Sequence, residues 1–320
     1  MSRPWLSLII PYHLAYGADL ERALDSVMAQ IGIDLTAIEI LLVNDGGPAA
    51  PQRLLTRYPV RHLTLTTNAG AGVARQYGMD QACGDYLMFI DADDLLASPI
   101  VLNAFERAAR QAPDVITAPF WQEVKDQGIT YIPHASIDRS AAYAKAYRRA
   151  YLDALGLRWH PALRVYEDLY FVSLAVDLAA TVATLTQPAY IWRLNQASTG
   201  RRDHHAMASA MEVWVEAQRM RLQFLRTHAP QRCGHDFYEC LGDVYVHAQI
   251  YPPARLNAVR RQVRLLLVEN IEFWRRPGAA RLVQAIATRR LQNRRLQWPA
   301  LSLAGLPAYT AWLEEQAWTS

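Results

Sequence analysis

The order of hydrophobic patterns in this 320-residue chain predicts an α/β fold, with a mostly parallel sheet followed by an all-helical C-terminal region. Three observations carry that expectation. Short buried-strand runs alternate with helical spacings through the first 120 residues. Such alternation builds right-handed βαβ units and a parallel sheet. Polar clusters at 11–13, 44–47, 67–75 and 91–94 all fall at the carboxyl ends of those runs, where parallel sheets seat their ligands. Beyond about residue 205 the pattern is helical only, so two domains are expected, 1–205 and 206–320.

Leu6 to Ile10 forms a first apolar strand, expected to stop at Pro11, and Leu20, Ala23, Leu24, Val27 and Met28 recur at helical spacing. Ile38 to Val43 is a second strand, ended by the turn-forming Asn44-Asp45-Gly46-Gly47-Pro48. Val60 to Leu65 is a third, residues 70–82 a helix, and Tyr86 to Ile90 a fourth strand running into Asp91-Ala92-Asp93-Asp94. A helix over 98–111 and a strand over 114–119 follow. Residues 121–135 read as an irregular or hairpin excursion, 140–155 as a helix, and 166–180 as a helix opening on Glu167-Asp168. The remaining helices are placed at 206–228, 235–249, 255–274 and 279–296, before a Trp-rich tail.

Composition narrows the class. Hydrophobic residues are 52% and charged residues 20%, which excludes a disordered, collagen-like or coiled-coil chain. The longest apolar stretch, Val172 to Leu185, carries Asp177 and falls short of the roughly 18 residues of a membrane span. No signal-peptide layout precedes the first strand, and Cys83, Cys233 and Cys240 are too few for a disulfide framework. A cytoplasmic protein is expected. Charge is uneven: residues 1–210 hold 18 Lys+Arg against 21 acids, whereas 211–320 hold 15 Arg, no Lys and 9 acids.

Asp91, Asp93 and Asp94 close a buried strand together. One such acid is explained as a helix N-cap, with Asp94 or Ser98 in that role. Three repel one another unless a cation or hydrogen-bond donors offset them. An oxygen-only set suits magnesium or manganese, bridged from one or two carboxylates to substrate phosphates. Cys233, His235 and Cys240 lack a second close pair and make no zinc site, and Asp203-His204-His205 reads as a polar loop.

The ordered motifs resemble the inverting glycosyltransferases of family 2, which have the nucleotide-sugar fold called GT-A. Ser7-Leu8-Ile9-Ile10-Pro11-Tyr12-His13 resembles the first strand and its nucleotide-contacting turn, and Ala23 to Gln30 the first helix. Ile40-Leu41-Leu42-Val43-Asn44-Asp45-Gly46-Gly47 resembles the segment usually written Val-Asp-Asp-Gly-Ser, with Asn44 in place of an Asp. Pro11-Tyr12-His13 is one residue shorter than the common Pro-x-Tyr-Asn. Asn68 to Gly78 resembles the Asn/Gly-rich turn with its Arg, Phe89 to Asp94 the metal motif, and Tyr166-Glu167-Asp168-Leu169-Tyr170-Phe171 the acidic catalytic motif. The likeness covers about residues 5–200.

The resemblance implies roles for these residues. Pro11, Tyr12, His13, Asp45, Asn68, Arg75, Asp91 and Arg193 would bind the donor, a UDP-sugar. Asp45 would accept the uracil imide N–H, although an Asx-turn residue is the plainer reading. Arg75 would contact nucleotide or diphosphate, unless it is a surface helix arginine. Asp91 and Asp93 would hold ribose and a divalent metal (Mn2+ or Mg2+), with Asp94 in the same cluster. Asp168 would be the general base, with Glu167 as the alternative; both are also suitable first-turn acids of a helix. Tyr190-Ile191-Trp192-Arg193 and Ser198 resemble a stretch that covers the diphosphate.

The expected activity is metal-dependent transfer of a sugar to an acceptor hydroxyl with inversion. The acceptor expected is a cell-envelope saccharide, free or lipid-linked. A hydroxylated base in DNA is the alternative, and a catalytically inactive sugar-nucleotide-binding module a further one. The arginines at 260, 261, 264, 275, 276, 281, 289, 290, 294 and 295 are read as solvated helix faces. An anionic membrane surface, which would make the protein peripheral at the inner face, and nucleic-acid phosphates are the competing partners.

Overall fold

The computed structural model describes residues 3–14, 17–125, 128–195, 206–294 and 297–318. The chain divides into two compact units, Met1–Gln196 and Ala197–Ser320. The boundary expected at 205 lies in 196–205, outside the described residues.

The first unit is α/β. β1 (Leu6–Tyr12) is buried along its whole length, because it lies in the sheet interior between two strands. Leu6, Leu8, Ile10 and Tyr12 point to one core face, where Leu20, Leu24 and Val27 of α1 (Gly17–Met28) are packed. β2 (Ile38–Asp45) pairs parallel with β1; α2 (Gln52–Arg57) leads to β3 (Val60–Leu65), parallel to β2. α3 (Ala71–Gln81) crosses the other face so closely that a Cβ on Gly78 would lie 2.5 Å from Ile9 Cγ2. β4 (Tyr86–Phe89) then returns to the far side of β1. The strand expected to stop at Pro11 runs through it. Pairing with β4 ends at Ile9, so Pro11 faces β2 alone and its missing N–H breaks no second ladder.

After the two-residue β5 (Leu95–Leu96) and α4 (Val101–Ala109), β6 (Val115–Thr117) re-enters the main sheet. β7 (Phe120–Lys125) and β8 (Ile129–His134) form an antiparallel hairpin, as the excursion at 121–135 allowed. The helix expected over 140–155 is instead β9 (Lys145–Arg148) followed by α5 (Arg149–Leu155). β9 inserts antiparallel between β4 and β6 with Lys145, Ala146 and Tyr147 fully buried. Pairing on both edges and the burial of Lys145, Ala146 and Tyr147 override the helix preference of Ala146 and the alanines just before the strand. α6 (Glu167–Asp177), β10 (Val182–Thr184) and β11 (Tyr190–Trp192) complete the unit. The main sheet runs β10-β6-β9-β4-β1-β2-β3, and the second β5-β11-β7-β8.

The second unit is helical among its described residues: α7 (Ala206–His228), α8 (Pro230–Ile250), α9 (Leu256–Glu269), α10 (Ile271–Trp274), α11 (Ala279–Arg294) and α12 (Leu306–Trp318). α8 starts earlier than expected because Pro230 suits a first helical turn. The single helix expected over 255–274 breaks at buried Asn270, whose side chain donates to Leu266 O and accepts from Arg226. Several arginines are spent inside the unit: Arg219 pairs with Glu269, Arg221 with Asp236, Arg255 with Glu212, and Arg289 and Arg290 with Glu239. Among the described residues no helix is long and apolar enough to cross a membrane.

Candidate active site

The strand order reverses at β1, since β2 and β3 build outward on one side and β4 returns on the other. A crevice at such a switch point is the ligand position in open α/β sheets. Four turns meet at its rim. Asn44 folds the first, accepting from Gly47 N at 2.8 Å and donating to Gly47 O at 3.0 Å. Asp45 ties it to a second turn: its two oxygens accept from Ala69 N (2.7 Å) and Gly70 N (2.9 Å). Both Asp45 oxygens thus already hold the turn where a uracil contact was expected. His13 is exposed and bonds through Nδ1 to Asp45 O at 2.9 Å, and exposed Asn68 accepts from Arg164 through its backbone and side-chain oxygens.

Two expected donor contacts belong to the core instead. Pro11 is buried in β1, and Tyr12 points inward with Leu6, Leu8 and Ile10. The Tyr12 hydroxyl shares a hydrogen bond with His62 Nε2 (2.7 Å) and accepts from Ala50 N (3.0 Å). Strand alternation decides this: a side chain two residues beyond Ile10 returns to the same face.

Arg75 organises the acids. It rises from α3, is only 4% exposed, and its Cζ lies 4.9 Å from the Trp159 ring centroid. Nη1 donates to Asp168 Oδ1 at 2.9 Å and Glu167 Oε1 at 3.2 Å, while Nη2 donates to Asp91 Oδ1 at 2.9 Å. Three of its five N–H donors are therefore taken up by carboxylates, and Nε is buried without a partner among the described residues. The expected contact with diphosphate is replaced by this internal role. Gly72, one turn earlier, clears space for the cluster: a Cβ there would sit 3.1 Å from Glu167 Cγ.

The acids approach from two directions. Asp91, Asp93 and Asp94 follow β4, and Glu167 and Asp168 open α6 after Tyr166, whose φ of 60° places a side-chain-bearing residue in the left-handed region. Burial pushes the Asp168 carboxyl up to about 7, opposed by Arg75 and a hydrogen bond from Ala142 N–H, and reinforced by the charges of Glu167 and Asp91. Burial also raises Glu167, against the pull of Arg75. A carboxylate poised near neutrality suits proton transfer at physiological pH.

Asp94 takes a structural place. It is 1% exposed and accepts from the Tyr190 hydroxyl at 2.8 Å and Arg193 N at 2.7 Å. Tyr190 OH also accepts from Asp91 N at 3.0 Å. Arg193 reaches Asp19 and the Asp93 backbone oxygen, and Asn195 donates to Asp93 Oδ2 at 2.6 Å. Among the described residues no group of three or more His, Cys, Asp or Glu is arranged to hold a metal ion. The three-aspartate set expected from sequence is corrected accordingly: Asp91 turns to Arg75, Asp93 to Asn195, and Asp94 to Tyr190 and Arg193.

Asp91 and Asp93 remain the candidate ligands for a divalent cation. Burial, with the neighbouring Asp91 charge, raises the Asp93 carboxyl despite the Asn195 hydrogen bond, and a cation would relieve that repulsion. Two carboxylates with phosphate oxygens are the usual protein share of a magnesium or manganese site. Asp91 and Asp93 would hold it; Asp94 would brace them.

Sequence reasoning missed Trp159 beneath Arg75, Ala142 at Asp168 and Asn195 at Asp93. No local pattern marks them, since each acts through a partner distant in the chain. Ser198, Asp203, His204, His205 and Arg295 lie outside the described residues. Cys233 and Cys240 are buried free thiols.

The chain is similar to known glycosyltransferases. Residues 7–160 match the family model described as Glycosyl transferase family 2. The chain is 28% identical over 219 residues to the uncharacterized glycosyltransferase EpsJ of Bacillus subtilis (strain 168), covering 60% of this chain and 62% of that protein. It is 25% identical over 223 residues to the succinoglycan biosynthesis protein ExoO of Rhizobium meliloti (strain 1021), covering 61% and 63%. These matches span less than two thirds of either relative. The structure of S. aureus TarS 1–349 in complex with UDP-GlcNAc is similar in fold, with a TM-score of 0.67 at 18% identity, over 98% of this chain and 89% of that one.

Proposed function

The first unit of this chain belongs to glycosyl transferase family 2 and has its GT-A fold, and from that premise we propose that the protein transfers a sugar from a UDP-sugar to an acceptor hydroxyl, inverting the anomeric centre. The observation that carries the reading is Asp168: a half-buried carboxylate held by Arg75, which also binds Asp91 at the carboxyl end of β4, with its pKa pushed up to about 7. That is the environment a general base needs.

The chemistry follows from the residues. Asp168 accepts the acceptor O–H proton while that oxygen attacks the anomeric carbon. The bond from that carbon to the diphosphate oxygen breaks on the opposite face, and UDP leaves with the bonding pair. A single displacement of this kind, with Asp168 acting as base, inverts the anomeric centre. Arg75 keeps Asp91, Glu167 and Asp168 together, and the turn joined by Asp45 shapes the nucleotide side of the crevice. A divalent cation at Asp91 and Asp93 would neutralise charge on the departing diphosphate.

The UDP-GlcNAc complex of TarS supports a UDP-sugar donor. The names of ExoO and of the minor teichoic acid biosynthesis protein GgaB of Bacillus subtilis (strain 168) support a cell-envelope saccharide as acceptor. The test is UDP release from a panel of UDP-sugars with cell-envelope saccharides added, with product configuration read by the anomeric proton coupling. Acceptor-stimulated release with inverted product is expected. Release that no acceptor stimulates, or a product of retained configuration, would refute the proposal.

A further inference from the structure

Asp91, Asp93 and Asp94 follow β4, Glu167 and Asp168 open α6, and the one guanidinium buried with them, Arg75, answers Asp91, Glu167 and Asp168. A diphosphate brought to this crevice meets net negative charge, so its binding calls for positive charge beyond a metal ion at Asp91 and Asp93. The two arginines read from the sequence as donor contacts are committed elsewhere. Arg75 gives Nη1 and Nη2 to carboxylates. Arg193 donates through Nη1 to Asp19 Oδ1 at 3.0 Å and to Asp93 O at 3.4 Å, and its Nε lies 3.9 Å from Glu123 Oε2.

Arg164 carries no such commitment. It is exposed, on the loop that leads into α6, three residues before Glu167 and four before Asp168. Its Nη2 donates to Asn68 O at 2.6 Å and to Asn68 Oδ1 at 2.9 Å, both uncharged acceptors. Among the described residues Nε and Nη1 have no hydrogen-bond partner, and no carboxylate lies within ion-pair distance of the guanidinium. The anchor fixes where this free charge stands. Asn68 precedes the Ala69 and Gly70 N–H groups that bind the Asp45 carboxylate. Gly70 has a φ of 100°, and a Cβ there would lie 3.8 Å from Arg164 Cγ and Nε and 3.9 Å from its Cα. The arginine stem therefore lies across the turn on the nucleotide side of the crevice.

We infer that Arg164 is a donor-binding residue: its guanidinium takes the diphosphate of the UDP-sugar while Nη2 stays on the 68–70 turn. The inference rests on the proposed UDP-sugar donor. The spare N–H groups of a guanidinium match phosphate oxygens in a charge-assisted pair. An arginine held at the rim by neutral oxygens alone keeps its full charge for such a partner, whereas Arg75 and Arg193 have spent theirs on carboxylates.

The test measures binding to the full chain in the presence of Mn2+, with UDP followed by calorimetry and uridine by ligand-observed NMR titration. Arg164→Met keeps the stem over Gly70 and removes the charge. Arg164→Gln also lacks the charge but retains an amide that can donate to Asn68. Both variants should bind UDP at least about tenfold more weakly, as the loss of a charge-assisted hydrogen bond implies, and bind uridine within about twofold of wild type. UDP affinity within about twofold of wild type in both variants overturns the inference. An equal loss for UDP and uridine overturns it too, because Arg164 is then a brace of the turn and not a phosphate ligand. So does a loss in Arg164→Met that Arg164→Gln does not share, which would assign the effect to the Asn68 contact. If Arg164→Met does not fold, Arg164→Gln decides by the first two criteria. A wild-type protein that binds neither UDP nor uridine refutes the UDP-sugar reading and the inference with it, whereas variants that bind UDP normally refute the inference alone.

Discussion

Replacing Arg75 by Met tests the centre of the site without touching a proposed ligand of donor or metal. Met keeps an unbranched stem over Trp159 and removes three charge-assisted hydrogen bonds, of 2.9, 3.2 and 2.9 Å. Breaking a buried ion pair from one side costs about 3–5 kcal/mol, because the other charge is left uncompensated. Here the side chains of Asp91, Glu167 and Asp168 keep 30%, 13% and 23% exposure. Water and protonation relieve part of that cost, so the lower end, about 3 kcal/mol, is expected. At roughly 2–4 °C per kcal/mol for a domain of this size, Tm at pH 8 should fall by about 6–12 °C. The pH dependence follows from the sign of the shifts. Glu167 and Asp168 already have raised pKa values in the folded protein, which opposes folding increasingly as pH rises from the ordinary carboxylate range through about 7. Without Arg75 those values rise further, so the variant loses stability with pH more steeply, and its deficit should shrink by pH 5. Thermal unfolding followed by circular dichroism at both pH values reads the effect. A Tm within 2 °C of wild type at pH 8, or the same deficit at both pH values, would show that Arg75 is not the counter-charge of the cluster.

The rate of UDP release should rise with pH and level off above about 7, because Asp168 must be ionised to accept the proton; a flat profile between pH 5 and 8 would speak against it as base. Chelation should abolish turnover and added Mn2+ restore it. In Asp93→Asn the Mn2+ midpoint should move at least about tenfold higher, as expected for loss of one of two carboxylate ligands. Asp94→Ala should instead lower stability by about 1–3 kcal/mol, through the hydrogen bonds lost by Tyr190 and Arg193 N. Metal titration and thermal unfolding of both variants separate the roles, and exchange of the two phenotypes would reverse the assignment.

The strands around the crevice were legible because burial leaves a plain mark. β1, β2 and β4 are covered on both faces and read as apolar runs interrupted only by Ser7 and Glu39, each closed by polar residues at its carboxyl end. β9 left no such mark. It follows an alanine-rich stretch that suits a helix, and only the gap between β4 and β6 makes it a strand. β10 and β11, three residues each, are too short to show a period. At the site, residue types were legible and partners were not. Arg75 read as a phosphate ligand because its acids lie at 91, 167 and 168, a convergence that exists only once α3, β4 and α6 are placed. Tyr12 was a donor contact only as the resemblance implied, and it shares the face of Leu6, Leu8 and Ile10. The three aspartates after β4 read as one metal set, although backbone turns there aim each carboxylate at a different partner.

The most direct test of the account compares wild type with Asp168→Asn, in paired measurements of UDP binding by calorimetry and of UDP release from UDP-GlcNAc with acceptor. Asparagine keeps the shape and removes the proton acceptor. The account predicts that release falls by about 10²–10⁴-fold, the usual share of a general base, while the UDP Kd stays within about threefold, because none of the hydrogen bonds that hold the turns at 44–47 and 68–70 involves Asp168. Turnover within about threefold of wild type, with UDP bound normally, would contradict it and take the proton-accepting role away from Asp168.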